Sequence, residues 1–163
     1  MANLYFFKDD ERAIIPTKRK EDAGYDVYML PTDEPVIVKP GETVLLHTGL
    51  KSAFNSDYVL LGRERGSTGT KGLRFGAGVI DSGFRGEILI PINNTSGKDI
   101  VLMPEEYSGD NSFESALIYP QTKAIGQFLL VPVVDAEIKE VSAEEYGKFN
   151  SKREEGMLGS SRK

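Results

Sequence analysis

Residues 78–88 place a carboxylate and an aromatic ring around a glycine-containing turn. The segment reads GVIDSGFRGEI, in which Asp81 follows two β-branched residues and Phe84 follows a glycine. A second apolar run at 88–90 comes next, so the pattern predicts a β-hairpin with Asp81 at its mouth. A carboxylate can orient a water and accept its proton, and a ring can seat a sugar or a base. The segment therefore suits the hydrolysis of a nucleotide.

Two other segments carry groups suited to a metal or a phosphate. In DAGYD, residues 22–26, Asp26 stands beside a small and tight backbone. One carboxylate is a typical protein contribution to a Mg²⁺ site, in which water and substrate phosphates complete the shell. The segment fits an acidic turn before a strand equally well. The stretch at 63–72, RERGSTGTKG, offers backbone N–H groups beside cations, which suits phosphate oxygens, although a polar surface loop has the same composition.

A single glutamine, Gln127, interrupts the apolar run at 124–131. A buried amide needs hydrogen-bond partners, which either the sheet itself or a ligand could supply. Residues 151–161 again combine cations with hydroxyls and glycines, and they lack an apolar stripe. We expect this tail to be mobile alone; it could become ordered when an anion binds, or it could be simply a disordered terminus.

The composition excludes several classes of function. The chain has 163 residues, enough for one domain with a sizeable core. Its net charge of −5 argues against binding to nucleic acid, and no apolar run has the length of a membrane span. Cysteine is absent, which removes disulfides and thiolate metal sites and fits a cytoplasmic location. The single histidine, His47, cannot build a histidine-based metal cluster and is expected to be a strand residue with a polar partner.

Most apolar residues occur in short runs that predict strands rather than helices. The runs are rich in β-branched and aromatic residues, and they cover residues 4–7, 25–30, 36–38, 44–46, 58–61, 88–92, 100–103 and 125–134. This spacing indicates an all-β sandwich, jelly roll or barrel. The one helical signal is a capping box that begins at Ser142 and predicts a turn or two of helix.

Taken together and in order, these segments resemble the trimeric dUTPase (deoxyuridine triphosphatase) family. The resemblance spans almost the whole chain, in five motifs: DAGYD at 22–26, ERGSTGTKG at 64–72, GVIDSGFRGEI at 78–88, AIGQF at 124–128 and KREEGMLGSS at 152–161. It implies an all-β, jelly-roll-like (β-clip) domain over residues 1–150 with an insertion at about 103–122. A flexible C-terminal arm at 151–163 would close over the active site.

The same resemblance implies a dUTP diphosphatase, which hydrolyses dUTP to dUMP and pyrophosphate by attack of water on the α-phosphorus. That activity limits uracil incorporation into DNA and supplies dUMP for thymidylate synthesis. The resemblance further implies Mg²⁺ as the cofactor and a homotrimer whose active sites are shared between chains. Phage and prophage enzymes are among the members that the chain resembles.

Matching the motifs residue by residue implies roles within the site. Asp81 would activate the water, Gln127 would lie near it, and Asp26 would contact Mg²⁺ through water. Phe84 would pack under the deoxyribose and exclude a 2′-hydroxyl. The residues implied to bind the substrate all lie in the motifs, and they are Arg65, Gly66, Ser67, Gly78, Ile80, Phe84, Gln127, Arg153, Leu158, Gly159, Ser160 and Ser161.

Several positions depart from the family pattern. Gly66 takes the place of the serine that follows the motif arginine, and Leu158 takes that of an aromatic residue over the base. Glu154 and Glu155 put negative charge beside a triphosphate and should weaken closure of the arm. The stretch at 103–122 is longer than in compact members of the family.

Two alternatives come from other classes of protein. A dCTP deaminase shares this fold and much of the motif order, but its catalytic glutamate would fall on Pro91, which cannot transfer protons. Some phage enzymes of the family also bind repressors. The insertion at 103–122 could therefore serve a repressor-type protein partner, or it could be a plain surface excursion.

Overall fold

Strands dominate the computed structural model, which describes residues 2–76, 78–109 and 112–151. In chain order the strands are β1 Leu4–Lys8, β2 Tyr25–Val27, β3 Val36–Val38, β4 Thr43–His47, β5 Leu50–Phe54, β6 Tyr58–Arg63, β7 Leu73–Phe75, β8 Val79–Ile80, β9 Leu89–Asn94, β10 Ile100–Met103, β11 Leu117–Pro120 and β12 Gly126–Pro132. Two single-turn helices accompany them, α1 Gly66–Gly69 and α2 Ala143–Tyr146. The all-β class predicted from the sequence is confirmed.

Hydrogen bonds join these strands into small sheets. A four-stranded sheet has the order β2-β12-β6-β8, and a three-stranded sheet has the order β4-β9-β7. A second three-stranded sheet has the order β11-β10-β3, and β1 pairs with β5. The pairs are antiparallel except that of β10 with β11. Many neighbours in a sheet are distant in the chain, as the predicted jelly-roll-like fold requires.

Aromatic packing against glycines brings β7 close to the four-stranded sheet. Phe128 of β12 is fully buried, and its ring lies 6.4 Å from the rings of both Phe6 and Phe75. Phe75 reaches the backbone at Gly62 and Gly126, where a Cβ would come within 2.3 and 2.7 Å of its ring. The core therefore lies on this side of the sheet, and the side chains that alternate with it point to the opposite, outer face.

The predicted hairpin at 78–88 is wrong. β8 pairs with β6, whereas β9 pairs with β4 and β7, so the strands on either side of Asp81 lie in different sheets. Residues 81–88 cross from one sheet to the other, which a two-residue hairpin turn cannot do. Four strands, β5, β7, β8 and β11, lie outside the predicted runs because each is short or carries few β-branched residues.

The chain divides into two compact units, Met1–Val133 and Val134–Lys163. In the second unit the Ser142 hydroxyl accepts a hydrogen bond from the Glu145 N–H at 3.2 Å, and the Glu145 carboxylate accepts one from the Ser142 N–H at 2.9 Å. The capping box predicted from the sequence is thus confirmed. Among the described residues, no helix combines the length and the apolar character needed to cross a membrane.

Candidate active site

Asp26 and Gln127 lie side by side on the outer face of the four-stranded sheet. They are direct partners in the antiparallel register of β2 and β12, so their side chains leave the same face. Phe128, the next residue of β12, points into the core. The sheet therefore brings together two predicted site residues that are far apart in the sequence.

Arg65 holds the Asp26 carboxylate. Its Nε lies 2.9 Å from Asp26 Oδ1, and its Nη1 donates to the Ala124 carbonyl at 3.4 Å. The two side chains of the ion pair are 33% and 34% exposed, so both remain open to a ligand. A guanidinium and a carboxylate at such a place can also contact a phosphate and a hydrated cation, respectively.

The segment after Arg65 folds as the single turn α1, where the sequence suggested an open loop. The Thr68 hydroxyl accepts from the Arg65 N–H at 3.0 Å and fixes the start of the turn. The amides of Thr68 and Gly69 donate to the Arg65 carbonyl. Those of Gly66 and Ser67 have no acceptor in the described part of the chain, so two adjacent N–H groups remain available to an anion.

Tyr119 supports this turn, and sequence reasoning missed it. The residue lies on β11, inside the stretch predicted as an insertion, and only 3% of it is exposed. Its hydroxyl donates to the Ala124 carbonyl at 2.7 Å and lies near the side chains of Arg65 and Ser67. Burial raises the pKa of Tyr119, although the charge of Arg65 and the nearby polar groups of Arg65 and Ser67 oppose the rise. Part of the 103–122 stretch therefore belongs to the fold and underlies the site.

The Gln127 side chain is held at both ends. Its Nε2 donates to the Glu64 carbonyl at 3.0 Å. Its Oε1 lies against Gly24, where an added Cβ would stand only 2.1 Å from that oxygen. The glycine of DAGYD is therefore required by the close approach of Gln127.

These groups line one open groove of about 880 Å³. Its walls come from the segment at 17–26, from Arg65 and Gly66, and from Gln127 and Leu129. The described residues of the 78–88 loop do not line this groove. The structure thus brings the first, second and fourth motifs together within one chain and leaves the third motif apart.

Asp81 directly follows β8 on an exposed turn. The Phe84 N–H donates to the Asp81 carbonyl at 3.1 Å, which closes a β-turn over residues 81–84. The Phe84 ring is 44% exposed and lies over Gly86, where a Cβ would come within 2.7 Å of it. Ile80 is buried in the core, so its side chain is not available to a ligand.

The far end of this loop is anchored by Glu87. Its Oε1 accepts from the Gly49 N–H at 2.8 Å, and its Oε2 lies 2.9 Å from His47 Nδ1. Burial raises the pKa of Glu87. The contacts with His47, Gly49 and Thr48 together lower it by more than that, so the net shift of the pKa is downward. His47 therefore has the polar partner expected from the sequence.

The strand register separates Asp81 from the groove. Extending the β6–β8 pairing by one residue places Asp81 opposite Val59, whereas Asp26 lies in line with Arg63. The interval from Val59 to Arg63 is about 13 Å along the strand, and the path from β2 to β8 crosses the sheet by about 14 Å. The backbone positions of Asp26 and Asp81 in one chain are therefore about 20 Å apart.

The predicted arm residues Arg153, Leu158, Gly159, Ser160 and Ser161 lie outside the described residues. Gly78 packs against β6, and its carbonyl accepts from the Gly62 N–H at 2.6 Å. Pro91, at the place of the deaminase glutamate, lies in the middle of β9, and its carbonyl accepts from the Gly76 N–H at 2.8 Å.

The sequence and the fold of this chain are similar to those of several known proteins. A deoxyuridine 5′-triphosphate nucleotidohydrolase of Nautilia profundicola is 34% identical over 143 residues, which cover 82% of this chain and 83% of that protein. A mutant dUTPase of Staphylococcus bacteriophage 80alpha, solved with dUpNHpp, has a TM-score of 0.77 at 26% identity and 98% coverage of both chains. A dCTP deaminase of Ignicoccus hospitalis is 36% identical over 90 residues, which are 55% of this chain and 50% of that protein.

The family model described as dUTPase matches residues 10–106, more than half of the chain. That range contains the Asp26 strand, the Arg65 turn and the Asp81 turn, and the similarity to the Nautilia profundicola protein extends over a larger share of the chain. The family assignment made from the five motifs is confirmed, and this chain belongs to the dUTPase family.

Proposed function

We propose that this chain hydrolyses dUTP to dUMP and pyrophosphate, with a water attacking the α-phosphorus. This is the activity of the family to which it belongs. The observation that carries the proposal is the groove in which Asp26, Arg65 and Gln127 converge on the two free amides of α1. Removal of dUTP limits uracil incorporation into DNA, and the product dUMP supplies thymidylate synthesis.

The groove suits a triphosphate because it offers positive charge and hydrogen-bond donors. Arg65 and the N–H groups of Gly66 and Ser67 would bind phosphate oxygens and stabilise the charge that shifts in the transition state. Asp81 would orient the water and accept its proton, and such general-base help contributes roughly 10²–10⁴-fold. Gln127, fixed by Glu64 and Gly24, would position the phosphates or the water.

Mg²⁺ is the divalent cation that fits this donor set. The described residues contain no cluster of three or more acidic or histidine side chains that would enclose a metal. Asp26 offers one partly exposed carboxylate at the groove, which suits an ion that keeps several waters and binds phosphates directly. When bound, the ion would offset phosphate charge in the transition state.

A complete site needs more than one chain, because a base must lie within hydrogen-bond reach of the water and Asp81 is about 20 Å from Asp26 in its own chain. The outer face beside the polar row also carries apolar side chains in register, namely Leu129, Leu61 and Val79, the last of them 66% exposed. A second chain that covers this face would bring its own Asp81 turn to the groove. We therefore propose a homotrimer, with the third chain supplying the arm at 151–163.

The exposed turn would recognise the nucleoside. Phe84 would pack under the deoxyribose, and the main chain from Gly78 to Ile80 would read the edge of the uracil. The arm residues Arg153, Ser160 and Ser161 would close over the phosphates. These roles follow the motif positions and the exposure of the Phe84 ring.

The test is a comparison of nucleotides and of one conservative variant. The chain should release pyrophosphate from dUTP with Mg²⁺, far faster than from UTP, dTTP or dCTP. Asp81→Asn should keep the fold and the affinity for dUpNHpp but lose about 10²–10⁴-fold in kcat, since an amide cannot accept the proton. Near-normal turnover by Asp81→Asn would remove Asp81 from the mechanism.

The same assay distinguishes a dUTP diphosphatase from a dCTP deaminase. Release of ammonia from dCTP would favour the deaminase, but Pro91 offers no proton-transferring group where the deaminase glutamate would lie. A repressor-type protein partner for the 103–122 stretch remains a prediction. A cytoplasmic location remains a prediction as well.

A further inference from the structure

We propose that Arg63 is an additional phosphate-binding residue, which contacts oxygens of the substrate's triphosphate. The inference rests on the proposed function and adds a residue that none of the five motif roles assigns. Arg63 ends β6 and pairs directly with Gln127 of β12. Because direct antiparallel partners share a face, Asp26, Gln127 and Arg63 form one row across the outer face of the sheet.

Arg63 lines a surface depression beside the groove described above, and the two share Arg65, Gly66 and Gln127. Arg65 and Gly66 are the start of the turn with the two free amides, and Gln127 stands between Arg63 and Asp26. An anion bound at the turn would therefore lie beside the Arg63 side chain.

Arg63 is the one arginine of the described residues without a polar partner. The others each contact a carboxylate or a carbonyl: Arg12 with Asp10, Arg19 with Asp22, Arg65 with Asp26, Arg74 with Glu64, and Arg85 with the carbonyls of Ser82 and Phe84. Arg74 differs from Arg63 in this respect. It lines the same depression, but its charge is already neutralised by Glu64. Arg63 is exposed and offers an uncompensated charge there.

The unpaired guanidinium of Arg63 supplies the positive charge that a bound triphosphate needs. The Asp26 carboxylate already offsets the charge of Arg65, and Glu64 offsets that of Arg74. A planar guanidinium can contact two phosphate oxygens at once, and such charge-assisted bonds are stronger than neutral ones. Arg63 would therefore favour ligands that carry the β- and γ-phosphates over dUMP.

The experiment compares Arg63→Gln and Arg63→Lys with the wild-type chain by calorimetric titration of dUpNHpp and dUMP. Arg63→Gln should bind dUpNHpp about tenfold more weakly and should change dUMP affinity much less. The salt dependence of dUpNHpp binding should also become shallower, since one charge contact is lost. Arg63→Lys should restore part of the affinity. Lys98→Gln is the control, because it removes the same charge from an exposed site on the 95–99 loop.

Three outcomes would overturn the inference. The first is wild-type affinity of Arg63→Gln for dUpNHpp, and the second is an equal loss of affinity for dUpNHpp and dUMP. The third is a loss of dUpNHpp affinity in Lys98→Gln as large as that in Arg63→Gln. Thermal unfolding of each variant checks that the exposed substitution leaves the fold intact. If the wild-type chain binds dUpNHpp but does not hydrolyse dUTP, the proposed function fails, while the binding comparison still decides the role of Arg63.

Discussion

The contact between Gly24 and Gln127 shows how tightly single residues define this site. The Gln127 amide is fixed by one hydrogen bond to the Glu64 carbonyl and by the bare backbone of Gly24. An added methyl at Gly24 would overlap Gln127 Oε1, at 2.1 Å, so one of the two must move. The glycine therefore serves the orientation of a side chain on another strand.

Gly24→Ala should lower kcat by about 10- to 100-fold, because a displacement of about 1 Å in a catalytic group can cost that much. Steady-state hydrolysis of dUTP gives kcat, and thermal unfolding shows whether the fold survives. Gly97→Ala is the matched control, since a Cβ there would meet nothing within 4 Å. Equal activity of the two variants would mean that the position of Gln127 does not matter for turnover.

The motifs and the resemblance they carry predicted Asp26, Arg65, Asp81 and Gln127 as site residues, but not the contacts among them. The Arg65–Asp26 ion pair joins residues from two motifs, and only the strand register brings them to 2.9 Å. Tyr119 gives no sequence signal, because an aromatic residue in a short apolar run is typical of an ordinary core position. Its role depends on where its hydroxyl lies, which the sequence does not encode locally.

At the scale of elements, the segment from β8 to β9 shows where pattern reasoning failed. Two apolar runs around a glycine-containing turn have the same alternation whether they pair with each other or with different sheets. The structure chooses the second arrangement, and contacts of Glu87 with His47 and Gly49 anchor the crossing loop. Asp81 lies on an exposed turn, but not at the mouth of the hairpin that the sequence predicted.

The parallel strand β11 connects the 103–122 stretch to the turn α1, the proposed phosphate-binding turn. Through Tyr119 it contacts Ala124, Arg65 and Ser67 at once. Lys71, just after α1, also lies over the Tyr119 ring, with Nζ 5.0 Å from its centroid. Part of the stretch that the sequence predicted as an insertion thus supports the candidate site.

Tyr119→Phe keeps the ring and removes the hydroxyl. Loss of one hydrogen-bonded contact should raise KM for dUTP about three- to tenfold and lower the free energy of unfolding by about 1 kcal/mol. Kinetics with dUTP and denaturant unfolding measure the two effects. Tyr58→Phe on β6 is the control, because its hydroxyl has no partner among the described residues. A KM equal to that of the control would show that β11 supports the core without acting on the turn.

At the scale of the whole molecule, the strand order decides which groups one chain can bring together. β2 and β8 are the two edges of the same sheet, with β12 and β6 between them. Asp26 and Asp81 therefore lie far apart although both belong to the proposed site. The resemblance to trimeric enzymes implied shared sites, and the separation of Asp26 from Asp81 in the register is a physical argument for that proposal.

Mixed trimers test this sharing directly. Chains carrying Asp81→Asn lack the base, and chains carrying Asp26→Asn lack the carboxylate of the groove, so each variant alone should be nearly inactive. When equal amounts are unfolded together and refolded, about a quarter of the sites should combine an intact Asp81 turn with an intact groove, because each is drawn at random from the two chain types. Pyrophosphate release from dUTP should then recover to about a quarter of the wild-type rate. Mixing without unfolding is the control, since slow exchange of chains would leave both variants inactive. A refolded mixture with no more activity than its components, or a monomer by light scattering that is fully active, would show that each chain completes its own site.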